Sequence, residues 1–404
     1  MATVLAGPGA ARYLADFGAD VIKVEAPAGD GTRRMGWTDP RDGESYMWKL
    51  LGRGKRTVVL DLKAEADLAS MLQLVDTADV LVENFRPGTL ERLGLDPVVL
   101  LERNPRLVIL RVTGFGQDGP YAARPGFATL AEAMSGFAAI NGEPDGAPLL
   151  PPIALTDEIA ALAGAFAVMV ALHHRDRTGE GQVVDVNLFE SMLQFMGALP
   201  SAFAHLGYLQ PRLGAGIPYS VPRGTYRCRD GVWVALSTSA ESVAERVLAL
   251  LGVADDARFA SFAGRSEHRD ELEAVVDAWI SARESTEVLR AFDDAHAAIA
   301  PVYSMADVLA DPHVEARGSI VEVDGVQMQG VIAGLSRTPG RIRHSGRPLG
   351  ADTDAVLAEL REIEAGEELE PPDSRRGPSR DQRSSRRSGF DRQDAAARPE
   401  EDRV

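Results

Sequence analysis

In this 404-residue chain, the residues best placed to do chemistry gather around one aspartate. Asp157 follows Thr156 and opens an alanine-rich apolar segment that reads as a buried helix to about His174. The turn Arg175-Asp176-Arg177-Thr178-Gly179-Glu180-Gly181-Gln182 comes next, then a strand through Val186. A carboxylate at a helix start accepts hydrogen bonds from first-turn amides, and the positive helix end favours its ionised form. That geometry serves a plain N-cap. It also presents an ionised carboxylate at a buried helix end, as a covalent nucleophile requires. Residue types alone leave both readings open.

Other candidate chemistries are weaker. Gly114-Phe115-Gly116-Gln117-Asp118-Gly119 matches G-x-G-x-x-G directly after a strand-like run. A dinucleotide fingerprint must then open a helix whose N-terminus holds the pyrophosphate, whereas Pro120, Pro125 and Gly126 prolong a loop. Cys228 is the only cysteine, which excludes an intrachain disulfide and a cysteine-rich metal site, and reads as a strand residue. The seven histidines include the pair His173-His174 but no metal-ligand spacing, so no metal is expected.

The elements that must position Asp157 follow from hydrophobic patterning. Strand-like runs at 20–25, 57–62, 80–82 and 107–112 alternate with helical segments such as 64–77, the pattern of a largely parallel α/β sheet. From about Gly224 the texture changes to a hairpin over 224–237, turning at Arg229-Asp230-Gly231, followed by amphipathic helices near 240–251 and 269–281. The expected organisation is a large domain over 1–200, a linker over 201–223, a small α+β domain over 224–300 and a return to the large domain over 301–363. Residues 364–404 are Arg, Ser, Asp, Glu and Pro with almost no apolar residue except Phe390, which predicts a disordered tail.

Composition narrows the partners. A net charge of -17 repels phosphate backbones and anionic lipid headgroups, so neither nucleic acid nor a membrane surface is expected. The apolar run 159–172 reads as too short and too rich in alanine to cross a bilayer, and the N-terminus lacks a signal-peptide pattern. A soluble, cytoplasmic protein is expected.

Several motifs together resemble class III CoA-transferases, the CaiB/BaiF family. They are Leu5-Ala6-Gly7-Pro8, the run 14–25, Gly52-Arg53-Gly54-Lys55-Arg56 with Leu60-Asp61-Leu62-Lys63, and Val82-Glu83-Asn84-Phe85-Arg86-Pro87-Gly88. Thr113-Gly114-Phe115-Gly116, Arg124-Pro125-Gly126-Phe127, the helix with its Arg-x-Arg-Thr-Gly turn, and Asp311-Pro312-His313 follow in order. The resemblance implies a Rossmann-like large domain with a smaller domain, and an interlocked homodimer. It implies that Asp157 is the nucleophile, attacking an acyl-CoA and passing through an aspartyl-CoA thioester to a carboxylic acid acceptor. CoA and acyl-CoA are then substrates, with no permanently bound cofactor. By position in these motifs, Leu5, Ala6, Arg33, Lys63, Asn84, Phe85 and Arg92 are expected to meet CoA. Backbone amides near Ala6-Gly7, and those of Leu213-Gly214-Ala215-Gly216, are candidate oxyanion donors.

The chain departs from the family pattern in two places. Only residues 1–4 precede the Leu-Ala-Gly-Pro turn, where relatives carry an apolar strand, so a truncated start that strips partners from neighbouring strands is expected. Ala128 and Leu5 stand where many relatives have polar residues. The nearest competing activity is that of an acyl-CoA racemase on the same fold. Racemase relatives place a catalytic histidine where Phe127 stands, and phenylalanine cannot transfer a proton. An inactive CoA binder and a dehydrogenase stand further off.

Overall fold

Runs of β-branched and apolar residues pair into parallel strands in the computed structural model, which describes residues 1–365. Strand β1 (Val21–Glu25) pairs in parallel with β2 (Lys55–Val59), Val21 facing Lys55. Strands β3 (Val80–Glu83), β4 (Val108–Thr113) and β5 (Gln182–Asn187) form a second parallel group with β4 in the middle. All six β4 residues are buried, which explains its nearly unbroken apolar run. Its one charge, Arg111, is tolerated because Glu83, its neighbour on β3, accepts from Nε at 2.6 Å and Glu91 lies 2.9 Å from Nη2.

The short start does not leave β3 bare. The α-amino group of Met1 and the amide of Ala2 both reach the Val82 carbonyl at 3.2 Å, and the Thr3 amide donates to Asn84 Oδ1 at 2.7 Å. Lys23 of β1 donates to the Ala2 carbonyl from the other side. The β1–β2 and β3–β4–β5 groups nonetheless remain separate sheets.

The opening helix (Ala6–Asp16) and the long helix (Leu155–Thr178) pack together through small residues. A Cβ on Gly9 would lie 2.8 Å from Ala161 Cβ, and one on Gly164 would lie 3.1 Å from Leu110 Cδ2. Glycine at these positions therefore sets how closely the two helices and β4 approach. At 24 residues the long helix is more extended than the 159–172 run suggested, and by length and composition alone it would cross a bilayer. A buried core helix passes the same test; this one packs on the opening helix, β4 and β5 and contributes Ala160, Val168 and Ala171 to the main core.

A separate core lies over an antiparallel sheet of β6 (Arg223–Arg227), β7 (Trp233–Ser237) and β8 (Ile299–Pro301). Val234, Leu236, Val247, Val276, Ile280, Val288 and Phe292 fill it, and Cys228 is buried there with its thiol pKa pushed up by burial. A hairpin of β9 (Ile320–Val323) and β10 (Val326–Gln329) turns through Asp324 and Gly325, both at positive φ. Contacts group residues 1–356 as one unit, and the described residues 357–365 fall outside it. The helix Thr353–Ala365 closes the described chain, so the expected tail lies outside the described residues except for its first two positions, which are helical.

Candidate active site

In open parallel sheets, ligands bind at the carboxyl ends of the strands. There, the loop after β1 and the turn after β3 converge on the chain entering the opening helix. Asp30 Oδ1 accepts from the Val4 amide at 3.3 Å and from the Thr32 amide at 3.0 Å, while its Oδ2 accepts from Lys23 at 2.6 Å. Asn84 returns a second bond, Nδ2 to the Thr3 carbonyl at 2.6 Å. Between these clamps Val4 adopts φ 63°, a left-handed conformation that a β-branched residue takes only under strain. Leu5 then caps the helix with no side-chain bond, so the amides of Ala6 and Gly7 have no acceptor among the described residues. Gly7 must lack a side chain, since a Cβ there would sit 2.5 Å from Ala2 Cβ.

The Gly-Arg-Gly-Lys-Arg motif fastens this helix from behind. Arg53 Nε and Nη2 grip Asp16 at 3.0 and 2.5 Å, with both side chains buried, and Lys55 Nζ donates to the Pro8 carbonyl at 2.6 Å. Burial drives the Lys55 pKa well below its usual value. These two side chains hold the scaffold.

Asp157 is the third residue of the long helix, whose N-cap is Ala154. It is therefore not the N-cap, and no hydrogen bond from another described residue reaches its carboxyl group. Its pKa is pushed up to about 6, first by burial and then by the charges of Glu132 and Glu158. The expectation that the helix end would favour the ionised form is thus overturned: loss of water and two neighbouring carboxylates outweigh the helix dipole. Glu132 comes from the helix Ala128–Met134, is buried, and accepts from the Thr156 hydroxyl at 3.0 Å. Glu158 accepts from Arg12 Nη2 at 3.0 Å and from the Tyr13 hydroxyl at 2.8 Å. Glu158 is the next residue in the chain, but no local motif marks Glu132 as a neighbour of Asp157 or Arg12 and Tyr13 as partners of Glu158; tertiary packing brings these together.

The loop after β4 opens no helix until Ala128, so the G-x-G-x-x-G match is not a dinucleotide fingerprint. Its amides are already tied down, Gly116 to Thr113 Oγ1 at 2.9 Å and Gln117 to Asp185 Oδ2 at 2.8 Å. Gly114 and Gly126 touch backbone to backbone: a Cβ on Gly114 would lie 2.4 Å from Gly126 Cα. That contact folds the loop back and sets the direction of the Glu132 helix.

The expected CoA residues divide into two groups. Lys63 is exposed after β2, and its ammonium has no partner among the described residues; Arg92 is exposed and donates only to Thr89 Oγ1, at 2.8 Å. Asn84 and Phe85 form the half-buried turn after β3, above the Glu83–Arg111 pair, with the Phe85 amide bonded to Glu83 Oε2 at 2.7 Å. Arg33, by contrast, is buried against Trp48, 3.6 Å from the ring centroid. It donates twice to Glu25, at 2.9 and 2.7 Å, and once to the Arg347 carbonyl at 3.1 Å. Its donors are spent within the protein, contrary to the expectation of a free phosphate ligand. The same holds for two proposed oxyanion donors: the Gly214 amide bonds to the Gly142 carbonyl at 3.0 Å and that of Gly216 to the Leu213 carbonyl at 2.9 Å.

Together these features place a half-buried carboxyl group, free of hydrogen bonds, on the same pair of packed helices as two unsatisfied amides. Such a carboxylate is poorly solvated once ionised and is free to attack a carbonyl.

Residues 1–353 match the model of CoA-transferase family III. The chain is 38% identical over 373 residues to the succinyl-CoA–L-malate CoA-transferase alpha subunit of Chloroflexus aurantiacus, covering 90% of this chain and 87% of that one. It is 36% identical to the succinate–glutarate CoA-transferase of Agrobacterium fabrum, covering 90% and 94%. The crystal structure of a CaiB/BaiF family protein from Brucella suis superposes with a TM-score of 0.79 at 31% identity, covering 89% and 97%.

Proposed function

Because the chain belongs to CoA-transferase family III, and is a CoA-transferase that moves CoA from an acyl-CoA to a carboxylic acid, we propose that Asp157 is its nucleophile. The observation that carries this reading is the half-buried Asp157 carboxyl group, unbonded at the start of the long helix. In the first step a carboxylate oxygen attacks the acyl carbon; the new C–O bond forms, the C–S bond breaks, and CoA leaves as thiolate. The thiolate attacks the Asp157 carboxyl carbon, releasing the donor acid as its carboxylate and leaving an aspartyl-CoA thioester. The acceptor carboxylate then attacks this thioester carbon, breaking its C–S bond and releasing CoA thiolate from a second mixed anhydride; the thiolate attacks the acceptor acyl carbon, forming the new thioester and freeing the Asp157 carboxylate. The amides of Ala6 and Gly7 face the oxyanions formed along the way.

For CoA itself, Lys63 and Arg92 supply the exposed cations that its phosphates need on an acidic protein. Leu5, Ala6, Asn84 and Phe85 line the path from them to Asp157, and Arg33 supports that wall through Glu25. Curated relatives are named for malate, citramalate, glutarate and mesaconate transfer, with succinyl-CoA or succinate as the other partner. This supports succinyl-CoA as donor and a dicarboxylic acid as acceptor.

We assign residues 1–200 and 301–363 to a large domain and 224–300 to a small one, joined by 201–223. A homodimer accounts for the exposed Phe166, Phe195, Phe203, Leu206 and Leu209, which a second copy would cover. The enzyme is placed in the cytoplasm as a soluble protein. Exchange of labelled succinate into succinyl-CoA, with no other acid present, tests the mechanism. The reading requires exchange by the native protein and none by Asp157→Asn; persistent exchange in the variant rules out Asp157 as nucleophile.

A further inference from the structure

The steps above use Asp157 but not the charged groups packed around it. Glu158 is partly open to solvent, and a single oxygen, Oε2, receives both Arg12 Nη2 and the Tyr13 hydroxyl. Arg12 is buried, stacks 4.3 Å from the Tyr13 ring centroid, and leaves its Nε without a partner. The Tyr13 hydroxyl has its pKa pushed up to about 12, chiefly by burial, so it stays a donor wherever the enzyme works. On the other flank, Glu132 is buried and held by Thr156. Of the remaining carboxylates on elements packed against the long helix, Asp16 of the opening helix is paired with Arg53, and Asp185 of β5 feels Glu190 of the helix Leu188–Gln194; none of the three is among the charges that perturb Asp157. Glu158 is thus the one neighbour of Asp157 whose charge is balanced by a buried cation from a different helix.

We propose that Glu158, clamped by Arg12 and Tyr13, is a positioning residue for CoA transfer: its charge, offset by Arg12, sets the field at the Asp157 carboxylate. The same clamp ties the helix bearing the nucleophile to the helix bearing the Ala6 and Gly7 amides. This inference rests on Asp157 being the nucleophile. Its physical content is a pair of opposite effects. Glu158 is one of the two charges that raise the Asp157 pKa, so its removal favours the ionised form; removal of Arg12 leaves Glu158 uncompensated and disfavours it. A residue serving only to hold the fold would not move these in opposite senses.

The test is kcat/KM against pH for the full chain, with succinyl-CoA and L-malate as the probes. In Glu158→Gln the acid limb should fall by about half a pH unit or more, a gain of ~3-fold on the acid side of the limb. In Arg12→Gln it should rise by a similar amount, and in Arg12→Lys, which keeps the charge, it should stay near the native position. Limbs that coincide in all variants, with only the melting temperature lowered, would overturn the proposal. Should Arg12→Gln not fold, Glu158→Gln against Arg12→Lys decides on the same terms.

A readout independent of turnover is the stability difference between Asp157 and Asp157→Asn as a function of pH. Its midpoint should lie lower in the Glu158→Gln background, and an unchanged midpoint would also overturn the proposal. Borohydride treatment after succinyl-CoA separates the two readings. Label on Asp157 with unmoved limbs removes only the clamp; no label on the native protein, while transfer proceeds, removes the nucleophile and the clamp with it.

Discussion

Asp157→Asn should abolish transfer and stabilise the fold, and the size of the gain follows from the environment of the carboxyl group. Burial, then Glu132 and Glu158, push its pKa up from 3.8 to about 6. In the unfolded chain the same group titrates near the ordinary value, about 3.9. Since the folded-state value is the higher, the folded protein binds the proton more readily, and stability falls as pH rises from about 4 through about 6. Each tenfold difference in proton affinity is worth ~1.4 kcal/mol, so the ionised carboxylate costs the fold about 3 kcal/mol at neutral pH. The cost shrinks to about 1.5 kcal/mol near pH ~5 and about 0.5 kcal/mol near pH ~4. Asparagine has no proton to lose and escapes this penalty. An unfolding entropy of ~2.1 cal/mol/K per residue over the 365 described residues gives a rise in melting temperature of ~4 °C at neutral pH. Under acid conditions, near pH ~4, the rise should be below about 1 °C. Differential scanning calorimetry of both proteins at the two pH values, with a transfer assay alongside, is the measurement. A variant no more stable than the parent at neutral pH, or a gain that persists in acid, would refute the reasoning.

Gly114→Ala should destabilise the protein by ~1–3 kcal/mol and lower kcat/KM, because its Cβ would lie 2.4 Å from rigid Gly126 backbone; thermal melts and kinetics check this. Arg53→Ala leaves the buried Asp16 carboxylate without its ion pair and should cost ~3–5 kcal/mol, read from the urea midpoint. Lys63→Ala and Arg92→Ala should each raise KM for succinyl-CoA about 5-fold with little change in kcat, an effect that shrinks as salt is added.

Much of the architecture was legible in hydrophobic patterning. The parallel strands near 20–25, 80–82 and 107–112, the hairpin at 224–237 and the helices near 240–251 and 269–281 all appear within a few residues of their expected bounds. Strand β2 starts two residues earlier than patterning suggested, because Lys55 and Arg56 lie inside it. The Lys55 ammonium is buried against a helix carbonyl, a partner that local sequence does not reveal. The β9–β10 hairpin was missed although Asp324-Gly325 between alternating residues is a strong turn signal. At the site, the family resemblance singled out Asp157, while residue types alone did not reveal the upward push on its pKa. That push comes from burial, then from Glu132, which tertiary packing brings close, and from Glu158, whose own charge is managed by Arg12 and Tyr13. Arg33 shows the same limit: its motif position suggested a contact with CoA, whereas the fold spends its donors on Glu25.

The most direct test of the central claim is to incubate the full chain with succinyl-CoA, add borohydride, and map the peptide carrying Asp157 by mass spectrometry. Reduction of the Asp157 carboxyl group to the alcohol, dependent on succinyl-CoA, is the predicted result and identifies the aspartyl-CoA thioester. An unmodified Asp157 peptide from protein that is actively transferring CoA would contradict it.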